Sequence, residues 1–183
     1  NTLYPHRCRL FDQVDRRMGE FVAWYLDLDA VEARRVQKAY LKSHGTTLSG
    51  LMQVHGVEPR TYLDFVHDID LSPVEPDPAL DAALAALPGR KLIYTNASTD
   101  HADAVLSRLG VARHFEAVFD IVAADFEPKP RRAPLHRLLD RHGVAPAGTV
   151  FFDDMPRNLA PAADLGMTTV WVESDSEWAL LDH

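Results

Sequence analysis

The pattern of apolar and polar residues changes character near residue 72. Before this point, apolar residues recur at spacings of three and four, which is typical of amphipathic helices. This first part predicts helices over residues 10–28, 32–41, 47–55 and 59–66. After it, short apolar runs predict strands over residues 91–94, 117–122, 149–152 and 168–172. The segments around these runs predict helices over residues 78–87, 99–109, 132–142 and 156–165.

Alternating strands and helices in the second part predict an α/β fold with a parallel sheet covered on both faces. We therefore expect a three-layer, Rossmann-like arrangement there. The segment Ser72–Pro78 contains three prolines, which cannot continue a helix, and we take it as a boundary. The chain is thus predicted to combine an all-helical segment with an α/β part.

Composition limits the possible functions. The 183 residues are 46% apolar and 25% charged, as in ordinary globular proteins. The net charge of −8 disfavours nucleic-acid binding, which depends on basic contacts to phosphate. The one cysteine, Cys8, excludes an intrachain disulfide and fits a reducing, cytoplasmic location. No apolar run approaches the roughly 20 residues that a membrane-spanning helix needs, so we expect no membrane partner.

Two adjacent aspartates, Asp153 and Asp154, follow the third apolar run of the second part. Neighbouring carboxylates oppose each other's ionisation, and a divalent cation such as Mg²⁺ removes that cost. An aspartate at the start of a helix is also a common N-cap, which is the simpler interpretation. This stretch alone leaves both interpretations open.

Polar residues follow the other predicted strands as well, at the edge where parallel sheets bind ligands. Thr95 and Asn96 follow the first strand, and Lys129 lies between two prolines after the second. Asn158 is placed on the first turn of the helix after the acidic pair, where it could steady a carboxylate or a metal-bound water. Taken singly, these residues also fit a helix-entry turn, a solvated lysine and an ordinary helix residue. Together they predict a site for phosphate and Mg²⁺ that lacks a nucleophile.

These residues resemble the motifs of the haloacid dehalogenase-like (HAD) hydrolase superfamily, in the family's order. Tyr94-Thr95-Asn96 is similar to the second motif, Lys129-Pro130 to the third, and the segment from Phe152 to Asn158 to the fourth. The start, Asn1-Thr2-Leu3-Tyr4-Pro5, resembles the end of the first motif. The two aspartates of that motif would lie directly before Asn1, so we expect the sequence to be part of a longer reading frame.

The resemblance implies a fold and a reaction. It implies a HAD-like core made of residues 1–9 and 78–183, with a helical cap inserted over residues 10–77. It implies a Mg²⁺-dependent phosphomonoester hydrolase that acts through an aspartyl-phosphate intermediate. Asp154 and Asp153 would hold the metal, Lys129 and Thr95 would be catalytic and bind phosphate with Asn96, and Asn158 would support them.

The subgroup that the chain most resembles is the pyrimidine 5'-nucleotidase-like phosphatases, through its first five residues and the stretch from Tyr40 to Leu51. The expected partner is therefore a small phosphorylated metabolite such as a nucleoside monophosphate. A sugar-phosphate or phosphoglycolate-type phosphatase remains an alternative, as does an inactive phosphate-binding member if the chain truly starts at Asn1. A dehalogenase needs no divalent metal, so the acidic pair argues against it. A phosphorylation receiver domain has these residue types in a different chain order.

Overall fold

The computed structural model describes residues 2–174, and the chain divides into two compact units. One, the helical unit, comprises Arg9–Pro73. The other, the α/β unit, comprises Asn1–Cys8 together with Val74–His183. The assignment of these units as cap and catalytic core stays a prediction.

The helical unit contains four helices, whose bounds are α1 Leu10–Leu26, α2 Ala30–His44, α3 Thr47–His55 and α4 Pro59–His67. The predicted helix over 10–28 is too long, because Asp27 adopts a left-handed conformation with a φ of 51° and ends α1. The prediction of 32–41 for α2 is too short. Asp29 caps its start by accepting from two backbone amides, and Gly45 ends it with a φ of 84°.

Within the helical unit, α1 packs against α2 and α4, and α2 packs against α3. Phe21 is fully buried and meets the ring of Tyr62 edge-on at 5.0 Å between centroids. A buried carboxylate, Asp15 of α1, accepts a hydrogen bond from Gln37 of α2 at 2.9 Å and pairs with Arg34. The unit therefore combines an aromatic core with a polar link between its two longest helices.

The α/β unit alternates helices and parallel strands, which confirms the predicted fold class. In chain order its elements are α5 Pro78–Ala86, β1 Leu92–Tyr94, α6 Thr99–Leu109, β2 Ala117–Phe119, α7 Arg132–His142, β3 Val150–Asp153, α8 Pro156–Asp164 and β4 Thr168–Trp171. Strand β1 pairs with β2, placing Ile93 opposite Val118, and β3 pairs with β4, placing Phe152 opposite Val170. The described strands thus form two parallel pairs.

Each predicted strand differs from the observed one at one end or both, and two of these differences involve an aspartate. The strand predicted over 117–122 ends at Phe119, because the carboxylate of Asp120 accepts the backbone amide of Ala123 and turns the chain. The strand predicted over 149–152 runs from Val150 to Asp153, so the first acidic residue belongs to the strand.

The third strand is also less buried than its apolar sequence suggests. Val150 and Phe152 are 47% and 43% exposed. Phe151, between them, packs on a buried cluster formed mainly by β2, α7 and α8. One face of β3 therefore faces the core and the other faces outward.

Across residues 2–174, none of the helices combines the length and apolar character required to cross a membrane.

The packing of α2 on α3 depends on Gly50. A Cβ atom at this position would lie 2.4 Å from Cγ of Tyr40, far inside van der Waals contact. We expect Gly50→Ala to lower the free energy of unfolding by about 1–3 kcal/mol through overpacking, measured by urea denaturation. Gly19→Ala is the control, since its Cβ would meet Gln37 at an acceptable 3.4 Å. In a Tyr40→Gly background, which removes both the ring and the Cβ atom of Tyr40, the effect of Gly50→Ala should vanish. An undiminished effect there would contradict the proposed clash.

Candidate active site

The carboxyl ends of β1 and β3 bring together most of the residues that the sequence singles out. Strand β1 ends at Tyr94 and is followed by Thr95 and Asn96, and β3 ends at Asp153. The loop after β2 supplies Lys129, whose ammonium lies between the two strand ends. Residues from three parts of the sequence therefore share one site.

The ammonium of Lys129 is held by two oxygen atoms. It donates to the carbonyl of Tyr94 at 3.1 Å and to Oδ2 of Asp153 at 2.8 Å. It also lies 5.2 Å from the centroid of the Tyr94 ring, within the range of a cation–π contact. The lysine side chain is 14% exposed, so it is not the solvated loop lysine of the simpler interpretation.

Asp153 is 2% exposed and surrounded by donors. Besides Lys129 on Oδ2, its Oδ1 accepts from the backbone amide of Met155 and from Nδ2 of Asn158, both at 2.9 Å. Helix α8 begins at Pro156 with Met155 in the N-cap position and no side-chain cap. Neither aspartate is therefore the N-cap of this helix. Asp153 instead forms an ion pair with Lys129.

Asn96 and Thr95 shape the loop after β1. Oδ1 of Asn96 accepts the backbone amide of Lys129 at 2.8 Å, so this side chain fixes the lysine's main chain. The hydroxyl oxygen of Thr95 accepts the amide of Ala97 at 3.0 Å, while the Thr95 amide donates to the carbonyl of Phe119. The Thr95 hydroxyl is the acceptor in this bond, so the bond does not use its proton.

Asp154 is 8% exposed and has different partners from its neighbour. Its Oδ1 accepts from the hydroxyl of Thr2 at 3.0 Å, which brings the start of the chain to the end of β3. Its carbonyl accepts from the indole nitrogen of Trp171 on β4 at 3.2 Å. The two adjacent carboxylates thus point to separate environments.

Two buried polar atoms near the site have no hydrogen-bond partner within residues 2–174. Oδ1 of Asn158, on a residue that is 7% exposed, is one of them, and the hydroxyl of Tyr94 is the other. Burial raises the pKa of the Tyr94 hydroxyl well above its usual range, so this tyrosine stays protonated at neutral pH. The Asn158 oxygen is an acceptor that a bound water or cation would satisfy.

The residues present fit a magnesium ion. Within residues 2–174 there is no group of three or more histidine, cysteine or acidic side chains suited to a metal. Mg²⁺ needs no such cage, because it commonly takes one or two carboxylates and completes its shell with water and phosphate oxygens. Asp154 would supply the carboxylate, and the unpartnered oxygen of Asn158 would accept from a metal-bound water.

Sequence patterns missed three contributors to this site. Thr2 reaches Asp154 across 152 positions, and the Tyr94 carbonyl holds Lys129 across 35. Asp120 is 7% exposed and accepts from the amide and hydroxyl of Thr99. The strand predicted over 117–122 places Asp120 inside the strand. Because β2 ends at Phe119, Asp120 in fact directly follows a strand, which is the signal that marks the other site residues.

Comparison with known proteins gives one family and several similar folds. The model of the haloacid dehalogenase-like hydrolases matches residues 13–166. An L-2-haloacid dehalogenase from Xanthobacter autotrophicus is 25% identical with a TM-score of 0.54, and the alignment covers 97% of this chain and 71% of that one.

Two more distant structures share the fold. A HAD phosphatase from Thermococcus onnurineus is 18% identical with a TM-score of 0.60, over 92% of this chain and 80% of that one. A HAD-family enzyme from Bacteroides thetaiotaomicron, in complex with magnesium and inorganic phosphate, is 16% identical with a TM-score of 0.53. Its alignment covers 94% of this chain and 91% of that one.

The buried pair of Lys129 and Asp153 yields a stability prediction. Asp153→Asn leaves the ammonium without its counter-charge in a site where the two side chains are 14% and 3% exposed. We expect a loss of about 3–5 kcal/mol in the free energy of unfolding, measured by urea denaturation. Asp164→Asn is the matched control, because it breaks an exposed pair with Arg132 and should cost less than about 1 kcal/mol. Equal losses in both variants would refute the role given to the buried pair.

His101, in the first turn of α6, yields a pH prediction. Burial lowers its pKa in the folded protein, because the charged imidazolium is poorly solvated there. The unfolded chain therefore binds a proton more readily, and the folded state loses stability as the pH falls below about 6.5. We expect the free energy of unfolding of the unaltered protein to fall more between pH 7.5 and pH 5 than that of His101→Gln, measured by urea denaturation at each pH. Parallel pH curves for the two proteins would contradict this assignment.

Proposed function

The chain belongs to the haloacid dehalogenase-like hydrolases, and from this premise we propose that it is a Mg²⁺-dependent phosphomonoester hydrolase. The observation that supports this most directly is the ammonium of Lys129, held at the strand ends beside Asp153 and within the same site as Thr95. A cation, a hydroxyl and carboxylates around the carboxyl ends of β1 and β3 suit a phosphate ester better than an uncharged substrate.

Lys129 would bind a phosphoryl oxygen with its remaining donor. An ammonium carries three N–H groups, and the contacts to Tyr94 and Asp153 use two of them. Because its position is fixed before substrate arrives, the third N–H would stabilise charge that develops on the phosphoryl group in the transition state.

Thr95 would donate to a second phosphoryl oxygen. Its hydroxyl oxygen already accepts the Ala97 amide, so its proton remains available for a ligand. Asn96 would act indirectly, since its side-chain oxygen is engaged by the backbone of Lys129.

The nucleophile would be an aspartate that the family resemblance places directly before Asn1. Its carboxylate oxygen would form a bond to phosphorus as the ester P–O bond breaks, and the leaving alcohol would take up a proton. Water would then hydrolyse the aspartyl phosphate and release inorganic phosphate. A magnesium ion held by Asp154 would supply charge neutralisation and orientation of the phosphate when bound.

A dehalogenase is the second candidate, because one of the similar structures is an L-2-haloacid dehalogenase at 25% identity. The buried acidic pair favours the phosphatase, since a carboxylate at a strand end suits a hydrated cation. Assays with a 2-chloroalkanoate and with a panel of phosphate esters, each with and without Mg²⁺, separate the two reactions.

For the substrate we propose a nucleoside monophosphate or a similar small phosphate ester in the cytoplasm. Support comes from the resemblance of the first five residues and of the Tyr40–Leu51 stretch to pyrimidine 5'-nucleotidase-like phosphatases. Hydrolysis of pyrimidine nucleotides in preference to sugar phosphates in the same panel would support this choice.

The proposed roles predict the effect of two substitutions in the full-length protein. Lys129→Ala and Asp154→Asn should each lower kcat/KM for phosphate esters by about a hundredfold or more, because each removes a preorganised charge. Lys91→Ala is the control, since this lysine lies just before β1, where it donates to the Leu87 carbonyl. Steady-state phosphate release measures all three; near-normal activity in either site variant would sink the assignment.

A further inference from the structure

Two loops carry the proposed phosphate-binding residues, and both begin at the carboxyl end of the β1–β2 pair. The loop after β1 contains Thr95 and Asn96 and leads into α6 at Thr99. The loop after β2 begins at Asp120 and leads to Lys129. The geometry of the site depends on how these two loops are held against each other.

Asp120 links both loops through one buried carboxylate. Its Oδ2 accepts from the backbone amide of Thr99 at 3.0 Å and from the Thr99 hydroxyl at 2.8 Å. Its Oδ1 accepts from the amide of Ala123 at 2.8 Å. The residue is 7% exposed, so these bonds form with little competition from water.

Two further hydrogen bonds, from residues that follow Asp120, run between the same two loops. The amide of Ile121 donates to the carbonyl of Ala97 at 3.2 Å. The amide of Lys129 donates to Oδ1 of Asn96 at 2.8 Å. The two loops are therefore joined by hydrogen bonds at Asp120, at Ile121 and at Lys129.

We propose that Asp120 is a positioning residue for phosphate binding, which holds the Thr95–Asn96 loop and the Lys129 loop in register. This inference rests on the proposed phosphatase function. Asp120 touches neither the lysine ammonium nor the Thr95 hydroxyl, and it acts through the backbone that carries them.

The three donors explain why a carboxylate is needed here. Both carboxylate oxygens face N–H or O–H groups, one toward Thr99 and the other toward Ala123. An asparagine of the same shape would place an NH₂ group at one of these positions, where it would face another donor. Asp120→Asn therefore loses the hydrogen bonds of one carboxylate oxygen while it preserves the side-chain volume.

The test compares Asp120→Asn with Leu138→Ala in the full-length protein. Leu138 is a buried core residue of α7 in the same unit, so its truncation destabilises the unit while it removes none of the hydrogen bonds between the two loops. Thr99→Val is a second variant, which removes the hydroxyl donor and keeps the amide. The readouts are melting temperature, kcat and KM for a phosphate ester, the inhibition constant of inorganic phosphate, and hydrogen exchange of the loop amides.

We expect Asp120→Asn to lower kcat/KM by about ten- to a hundredfold and to weaken inhibition by inorganic phosphate, since small misplacements of binding groups cost rate on this scale. Thr99→Val should show the same change at smaller size. Leu138→Ala should lower the melting temperature and leave the kinetics of the folded protein near normal.

Hydrogen exchange separates failure of this proposal from failure of the proposed function. If the unaltered protein hydrolyses no phosphate ester, the proposed function fails, and faster exchange of the Thr99, Ala123 and Lys129 amides in Asp120→Asn still reports the loop link. If the unaltered protein is active and Asp120→Asn matches Leu138→Ala in kinetics, the positioning role is overturned. Unchanged exchange in Asp120→Asn overturns it as well.

Discussion

The ion pair between Lys129 and Asp153 is the interaction on which the site depends. Both side chains are nearly buried, and removing charges from water costs several kcal/mol for each ion. The surrounding structure offsets that cost with hydrogen bonds, from Met155 and Asn158 to the carboxylate and from the ammonium to the Tyr94 carbonyl. One pair thereby connects β1, β3, the start of α8 and the loop after β2.

This pair also explains how two adjacent aspartates are tolerated at the end of one strand. Asp153 is neutralised by the lysine, so its charge does not oppose that of Asp154 to the full extent. The two aspartates therefore have different roles. Asp153 positions the Lys129 ammonium, and Asp154, which contacts Thr2, is the carboxylate that we propose for the metal. The motif resemblance implies that both aspartates hold the metal, and the three protein donors around Asp153 favour this narrower role for it.

Local signals predicted some elements well. Helices α6 and α7 have the predicted bounds, because Gly110 and Gly143 adopt left-handed φ angles of 75° and 59° just past their ends. The strand over 117–122 was wrong, since its apolar residues continue past Phe119 while the chain turns at Asp120. That turn also depends on hydrogen bonds from Thr99, which lies 21 positions away and leaves no local trace in the pattern.

The sequence by itself determined the α/β class and the order in which Thr95, Lys129 and the acidic pair follow successive strands, because apolar periodicity and proline and glycine positions act over a few residues. Only the tertiary structure decided which groups meet there. Asp153 holds Lys129 across 24 positions, and Asn96 holds its backbone across 33. Such contacts arise from the packing of parallel strands and their loops, so they follow from where the chain brings distant residues together.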